Sequence, residues 1–149
     1  MRCLVTGGGT GGHIYPAVAV AKQLQAILPR TKVLFVGTEN GMESSIVPKE
    51  GIEFAFVRSS GIVGKSPILA VKGGLNAALG LVDARRIIKS FRPDVILGTG
   101  GYAAGPVVLA GQLMGVPTAI QEQNAVPGRT NLVLGKRARR VFAAWEYSL

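Results

Sequence analysis

Six short apolar runs alternate with five stretches of helical spacing along the chain. No other feature narrows the fold as much. The runs are residues 2–6, 32–36, 53–57, 95–97, 118–121 and 140–143, and helices are expected over 14–28, 42–47, 67–91, 106–114 and 130–138. Apolar runs without polar interruption suit strands buried on both faces. Strict strand–helix alternation implies α/β architecture: a doubly wound, parallel, Rossmann-like sheet with right-handed crossovers. Ile14, Val18, Ala21, Leu24 and Leu28 step by four, three, three and four residues and predict the core-facing stripe of the first helix. Over 67–91 the expected stripe is Ile68, Val71, Leu75, Leu79 and Val82, with Leu69 and Leu81 off it. Gly115 followed by Val116-Pro117 supplies a helix stop.

The 149 residues suffice for one domain with a sizeable core. The lone cysteine, Cys3, has no partner for an internal disulfide and is expected as a small buried side chain in a reducing compartment. No apolar run approaches the length of a membrane span, and the segment before the first glycines is too short for a secretory signal. The chain stops at Leu149, shortly after the last strand, so it is expected to be the front half of a longer protein.

Seventeen Lys and Arg against eight Asp and Glu give a net charge of +9, which favours anionic partners. Lys136, Arg137, Arg139 and Arg140 crowd into five positions, with Arg129 just before them. No aromatic residues interleave with them in the manner of an RNA-binding surface, so nucleic acid is not the expected partner. Lys65 and Lys72, with Leu69 off the helical stripe, form a second basic patch. Together with Lys136, Arg137 and Arg140 they are candidates for docking on an anionic membrane.

The chemistry concentrates in two glycine loops. Residues 6–13 read T-G-G-G-T-G-G-H, with glycine at five of the six positions 7–12. The loop joins a strand to a helix start, where unpaired N–H groups attract anions. A second loop, Gly98-Thr99-Gly100-Gly101-Tyr102-Ala103-Ala104-Gly105-Pro106, follows the fourth strand, with Pro106 expected in the first turn of the next helix. The first and fourth strands of a doubly wound sheet are neighbours at the topological switch point. Two anion-binding helix starts therefore lie side by side, as a pyrophosphate-bearing ligand or two meeting substrates require. Gly7-x-Gly9-x-x-Gly12 with Glu39 after the second strand also satisfies the dinucleotide fingerprint, so an NAD-type oxidoreductase domain is the alternative. No Gly-Lys-Ser/Thr is present in the loop, which excludes a P-loop NTPase.

His13, the only histidine, stands at a helix start whose dipole favours a neutral imidazole. It is a candidate base for a hydroxyl, or a residue that orients the loop. Gln121-Glu122-Gln123-Asn124 follows the fifth strand at the same edge. Glu122 is a second candidate base, or an acceptor for backbone N–H groups of a glycine loop. Asn124 offers donor and acceptor to a sugar hydroxyl. Asp83 and Asp94 are far apart and form no D-x-D motif, so neither a metal nor a cofactor is expected.

Several motifs in order resemble the MurG glycosyltransferases: Gly8-Gly9-Thr10-Gly11-Gly12-His13 with Pro16 and Ala17; Gly37-Thr38, Gly41-Met42-Glu43, Val47-Pro48 and Gly51-Ile52; Ser60-Gly61 and Gly64-Lys65; Pro93-Asp94-Val95, Gly98, Gly100-Gly101-Tyr102 and Gly105-Pro106; then Glu122-Gln123-Asn124, Gly128 and Asn131. Members often carry His before Glu-Gln-Asn, where this chain has Gln121. The resemblance implies that residues 1–149 are the N-terminal, acceptor-side domain of a GT-B enzyme whose C-terminal domain holds the donor nucleotide. It implies transfer of GlcNAc, with inversion, from UDP-GlcNAc to lipid I, the lipid-linked MurNAc-pentapeptide, at the cytoplasmic face of the bacterial membrane. It further implies donor contacts from Thr10, Gly11, Gly12 and Asn124, and contacts to the acceptor diphosphate from Gly100, Gly101 and Tyr102. In that setting His13 is the first choice of base.

Overall fold

A computed structural model describes residues 1–59 and 67–146, with the backbone alone described for 67–75. Six parallel strands form one sheet in the order β3-β2-β1-β4-β5-β6. They are β1 (Arg2–Thr6), β2 (Lys32–Gly37), β3 (Glu53–Phe56), β4 (Val95–Gly98), β5 (Thr118–Glu122) and β6 (Arg140–Ala143). The helices are α1 (Gly11–Ile27), α2 (Glu43–Lys49), α3 (Pro67–Phe91), α4 (Gly101–Leu113) and α5 (Arg129–Gly135). The strand order reverses between β1 and β4, so the doubly wound expectation holds and the switch point lies where the sequence puts both glycine loops.

Successive strand residues feed opposite faces. Leu4, Leu34, Val36, Ile96 and Ile120 join Ile88, Val107, Val108 and Leu134 in one core layer under α3, α4 and α5. Cys3, Val5, Val33, Phe35, Leu97 and Ala119 join Ile14, Ala17, Val18, Ala21 and Val47 in the other, under α1 and α2. Burial pushes the Cys3 thiol up to about 11.

Three sequence expectations need correction. First, α1 begins at Gly11 rather than at residue 14, and α4 begins at Gly101 rather than at Pro106. Glycine and proline are poor helix residues in isolation, so the pattern hides the first turn. A first turn makes no intrahelical N–H bonds, however, and so tolerates the glycines that open both helices. Pro106, expected in the first turn, is instead the sixth residue of α4, where its ring removes the N–H that the Tyr102 carbonyl would accept. Ser59 Oγ donates to that carbonyl instead, at 2.7 Å. Second, the buried stripe of α1 includes Ala17 and excludes Leu28, which caps the helix half-exposed. Third, α3 buries Gly80, Ala84, Ile88 and Phe91, while Val82 is exposed and Leu81 packs against the core. An added Cβ on Gly80 would stand 2.0 Å from the Arg58 carbonyl, so the helix runs unusually close to the end of β3 and turns its glycine side inward. Lys65 lies outside the described residues, as do the side chains of Leu69, Lys72 and the first half of the expected α3 stripe.

Candidate active site

The two glycine loops touch. Gly101 has φ +80°, and an added Cβ would stand 2.0 Å from the Gly8 carbonyl oxygen. Gly100 has φ +106° and faces the His13 ring, whose Cδ2 lies 2.7 Å from the position of a Cβ. Gly9 lies beneath the Tyr102 ring. Thr99 Oγ1 donates to the His13 carbonyl at 2.7 Å and fills the space beside Gly7. The structure thus gathers Thr10, His13, Gly100, Gly101 and Tyr102 at the carboxyl rim of β1 and β4.

His13 is the third residue of α1 and half-buried. Its Nδ1 is 3.0 Å from Thr10 Oγ1, so the hydroxyl of the N-cap residue serves the ring and makes no cap bond. Burial pushes the imidazole pKa below its ordinary 6.5, although the Glu122 carboxylate and the Gly8 carbonyl both pull it up. The neutral ring expected from the helix dipole is therefore a consequence of burial.

Glu122 ends β5 and is 2% exposed. Its Oε1 accepts from Asn124 N at 2.8 Å and from Asn124 Nδ2 at 2.9 Å; its Oε2 accepts from Gly128 N at 3.0 Å and from Asn131 Nδ2 at 2.9 Å. Burial alone would raise this carboxyl, but the four hydrogen bonds prevail and hold it below the ordinary carboxylate value. Both oxygens are committed to shaping the β5–α5 loop, and Asn124 is tied to the rim through them. The backbone N–H of the first glycine loop goes instead to Glu43, the first residue of α2, whose Oε2 accepts from Gly9 N at 3.2 Å.

A groove of about 750 Å³ opens at this rim. His13, Gly100, Gly101, Tyr102 and Asn131 form its polar end, and it runs over Ala77, Pro106, Leu109, Val133 and Leu134 between α3, α4 and α5. Among the described residues, the buried side-chain polar atoms without a partner are Thr31 Oγ1, Gln121 Oε1, both amide atoms of Gln123, and Asn131 Oδ1. All but the first belong to β5, its exit and α5. Of these, Asn131 Oδ1 belongs to a residue lining the groove; buried polar groups are nearly always hydrogen-bonded, so this atom is open to a polar ligand there.

Not every candidate joins this cluster. Gly11 and Gly12 open α1, with Gly12 exposed. Lys136, Arg137 and Arg140 are exposed at the opposite, amino edge of the sheet, around the end of α5 and the start of β6. Glu39 is exposed and lines a separate shallow groove with Phe56, Arg58, Asp83 and Arg86. Asp83 pairs with Arg58, while Asp94 accepts from the Arg2 backbone. Sequence reading assigned no role to Glu43, Thr99 or Asn131. The glycines around Glu43 carried a signal, because Gly8, Gly37 and Gly41 all make room for its side chain.

Residues 3–143 match the glycosyltransferase family 28 N-terminal domain. The chain belongs to this family. It is 51% identical over 146 residues, 98% of its length, to the UDP-N-acetylglucosamine–N-acetylmuramyl-(pentapeptide) pyrophosphoryl-undecaprenol N-acetylglucosamine transferase of Symbiobacterium thermophilum, and it spans 39% of that relative. The crystal structure of MurG from Acinetobacter baumannii superposes with a TM-score of 0.85 at 35% identity, over 99% of this chain and 43% of that one. The glycosyltransferase SsfS6 of Streptomyces sp. SF2575 superposes with a TM-score of 0.65 at 19% identity, over 91% of this chain and 43% of that one, a likeness of fold alone. Family 28 membership displaces the dinucleotide-oxidoreductase alternative. Two of its three fingerprint glycines serve contacts within the protein: Gly7 meets Thr99, and Gly9 meets Tyr102 and Glu43.

Proposed function

We propose that this chain is the acceptor-side domain of a two-domain inverting transferase that moves GlcNAc from UDP-GlcNAc to the C4 hydroxyl of lipid-linked MurNAc-pentapeptide, converting lipid I to lipid II in peptidoglycan synthesis. The observation that carries this reading is the setting of His13. A neutral imidazole stands between two helix starts, at the mouth of a groove that is polar at one end and apolar at the other. An acceptor with an anionic diphosphate and a prenyl tail has the same polarity along its length. Relatives of this chain are named for acting on such a molecule.

In this reading Gly100, Gly101 and Tyr102 present the α4 helix start to the acceptor diphosphate, and the apolar groove receives the first part of the tail. Thr10, Gly11, Gly12 and Asn124 face the donor, whose nucleotide rests mainly on the second domain. With Nδ1–H turned to Thr10 Oγ1, His13 Nε2 keeps its lone pair for the C4 proton. The C4 oxygen attacks the sugar carbon as the carbon–phosphate oxygen bond breaks on the opposite face, and UDP leaves with the electron pair. The amide dipoles of the helix starts stabilise the charge that develops. Glu122 favours the imidazolium that forms and shapes the loop carrying Asn124, so it acts as a positioning residue. Asn131 Oδ1 accepts a hydrogen bond from the acceptor.

Among the described residues no helix is long and apolar enough to cross a membrane. A peripheral contact on the cytoplasmic membrane face belongs to the same proposal. It draws on Leu109, Leu113, Leu132 and Val133, exposed on α4 and α5, and on Lys136, Arg137 and Arg140, exposed around the end of α5 and the start of β6; Lys65, Leu69 and Lys72 are the further sequence candidates for it. Binding to vesicles is expected to rise with anionic lipid and fall with salt.

The deciding experiment is His13→Ala in the full-length enzyme. Turnover is expected to drop roughly 10²–10⁴-fold, the usual contribution of a general base. Near-normal turnover would remove His13 from that role.

A further inference from the structure

Glu43 is a buried carboxylate that the mechanism above does not use. It is fully buried, and neither ion pair among the described residues involves it. Oε1 accepts from Thr38 N at 3.0 Å and from Thr38 Oγ1 at 2.7 Å, and Oε2 accepts from Gly9 N. Three glycines are shaped around it. A Cβ on Gly8 would stand 2.4 Å from Oε1, one on Gly41 2.3 Å from Oε1, and one on Gly37 2.4 Å from the Glu43 Cγ. Burying a charge without a counter-ion is costly, and a structural plug for this space needs only an apolar side chain. What the negative charge adds is specific: it takes an amide of the glycine loop that would otherwise attract a phosphate.

We infer that Glu43 is a built-in anion seated on the Gly9 amide of the first glycine loop, a positioning residue that fixes Gly9, Thr10 and His13 and keeps phosphate off that amide. The acceptor's diphosphate is thereby directed to the second loop, at Gly100–Tyr102, where no such carboxylate accepts from the backbone among the described residues. Gly9 lies under the Tyr102 ring, so the same carboxylate also sets the spacing of the two loops. This inference deepens the transferase reading and rests on it for the identity of the diphosphate.

The test compares Glu43→Gln and Thr38→Val with wild type in the full-length protein, by kinetics and by calorimetric titration with inorganic pyrophosphate. Glu43→Gln keeps the shape, removes the charge and turns an NH2 group toward Gly9 N–H. Its turnover is expected to fall roughly 10-fold or more, the scale of a lost hydrogen bond to a charged group, with KM for UDP-GlcNAc within about twofold. Pyrophosphate is expected to bind it roughly 10-fold more tightly than wild type and to compete with the lipid acceptor. Thr38→Val loosens the same pocket without changing its charge, and is expected to leave pyrophosphate affinity at the wild-type level. Equal pyrophosphate affinity in wild type and Glu43→Gln would overturn the inference, and so would an equal gain in both variants. The titration needs no turnover. An inactive wild type would therefore sink the transferase reading while the Glu43 comparison still gave its answer.

Discussion

The two glycine loops look alike in sequence, yet their glycines are spent differently. Each precedes a helix whose sixth residue is proline, Pro16 in α1 and Pro106 in α4. In the first loop the glycines admit protein: Thr99 beside Gly7, the Glu43 carboxylate against Gly8, the Tyr102 ring over Gly9. In the second loop they let the backbone approach the first loop and the histidine after it, with Gly100 against His13 and Gly101 against Gly8. The first loop already contains its anion, whereas the second opens onto the groove. Under the proposed function, a glycine-rich helix start takes phosphate only where the fold has left its amides unclaimed.

The largest effect on stability is expected at the contact between the loops. Gly101→Ala combines a left-handed φ with a backbone collision, and should destabilise the protein by about 3 kcal/mol or more in a thermal or urea melt. Gly51→Ala is the control. Its φ of +75° is similar, but nothing lies within 4 Å of the added carbon, so the cost should be only about 1 kcal/mol. Equal losses at the two positions would show that the loops do not depend on touching.

A smaller loss is expected for Asn131→Ala, which removes one of four donors to Glu122 and leaves a buried oxygen less satisfied. Urea denaturation should register about 1–3 kcal/mol. An unchanged midpoint would mean that Asn131 serves the ligand alone. The pH dependence follows from the lowered pKa of His13. A base must be neutral, so kcat/KM of the full-length enzyme should hold steady as pH falls to 6.5 and decline only below it. The same shift makes the folded state take up its proton later than the unfolded chain, so this group begins to cost stability as pH drops below 6.5. A rate already falling well above 6.5 would point to another group. The least effect is expected at Cys3, buried in β1 with its thiol held protonated. Alkylating reagents at neutral pH should leave it unmodified until the protein unfolds.

The architecture was largely legible. Continuous apolar runs gave strand positions to within a residue, and their alternation with helices gave a parallel doubly wound sheet with the first and fourth strands adjacent. The first turns of α1 and α4 were not legible, because a helix start is held by what surrounds it and not by the propensity of glycine. That His13 and the second loop meet at one rim was readable from type and position. Glu43 and Asn131 were not assigned, because their roles depend on partners 34 and 9 residues away that only the fold brings near. The catalytic candidacy of Glu122 rested on its place after β5, which does not reveal that both its oxygens are already engaged.

The most direct measurement is a crystal structure of the full-length enzyme with a short-chain diphosphate acceptor analogue. The diphosphate is expected within ~3 Å of backbone N–H groups at Gly101 and Tyr102, with the C4 hydroxyl at His13 Nε2. A diphosphate seated on Gly9 in the first loop, or bound away from both loops, would contradict it.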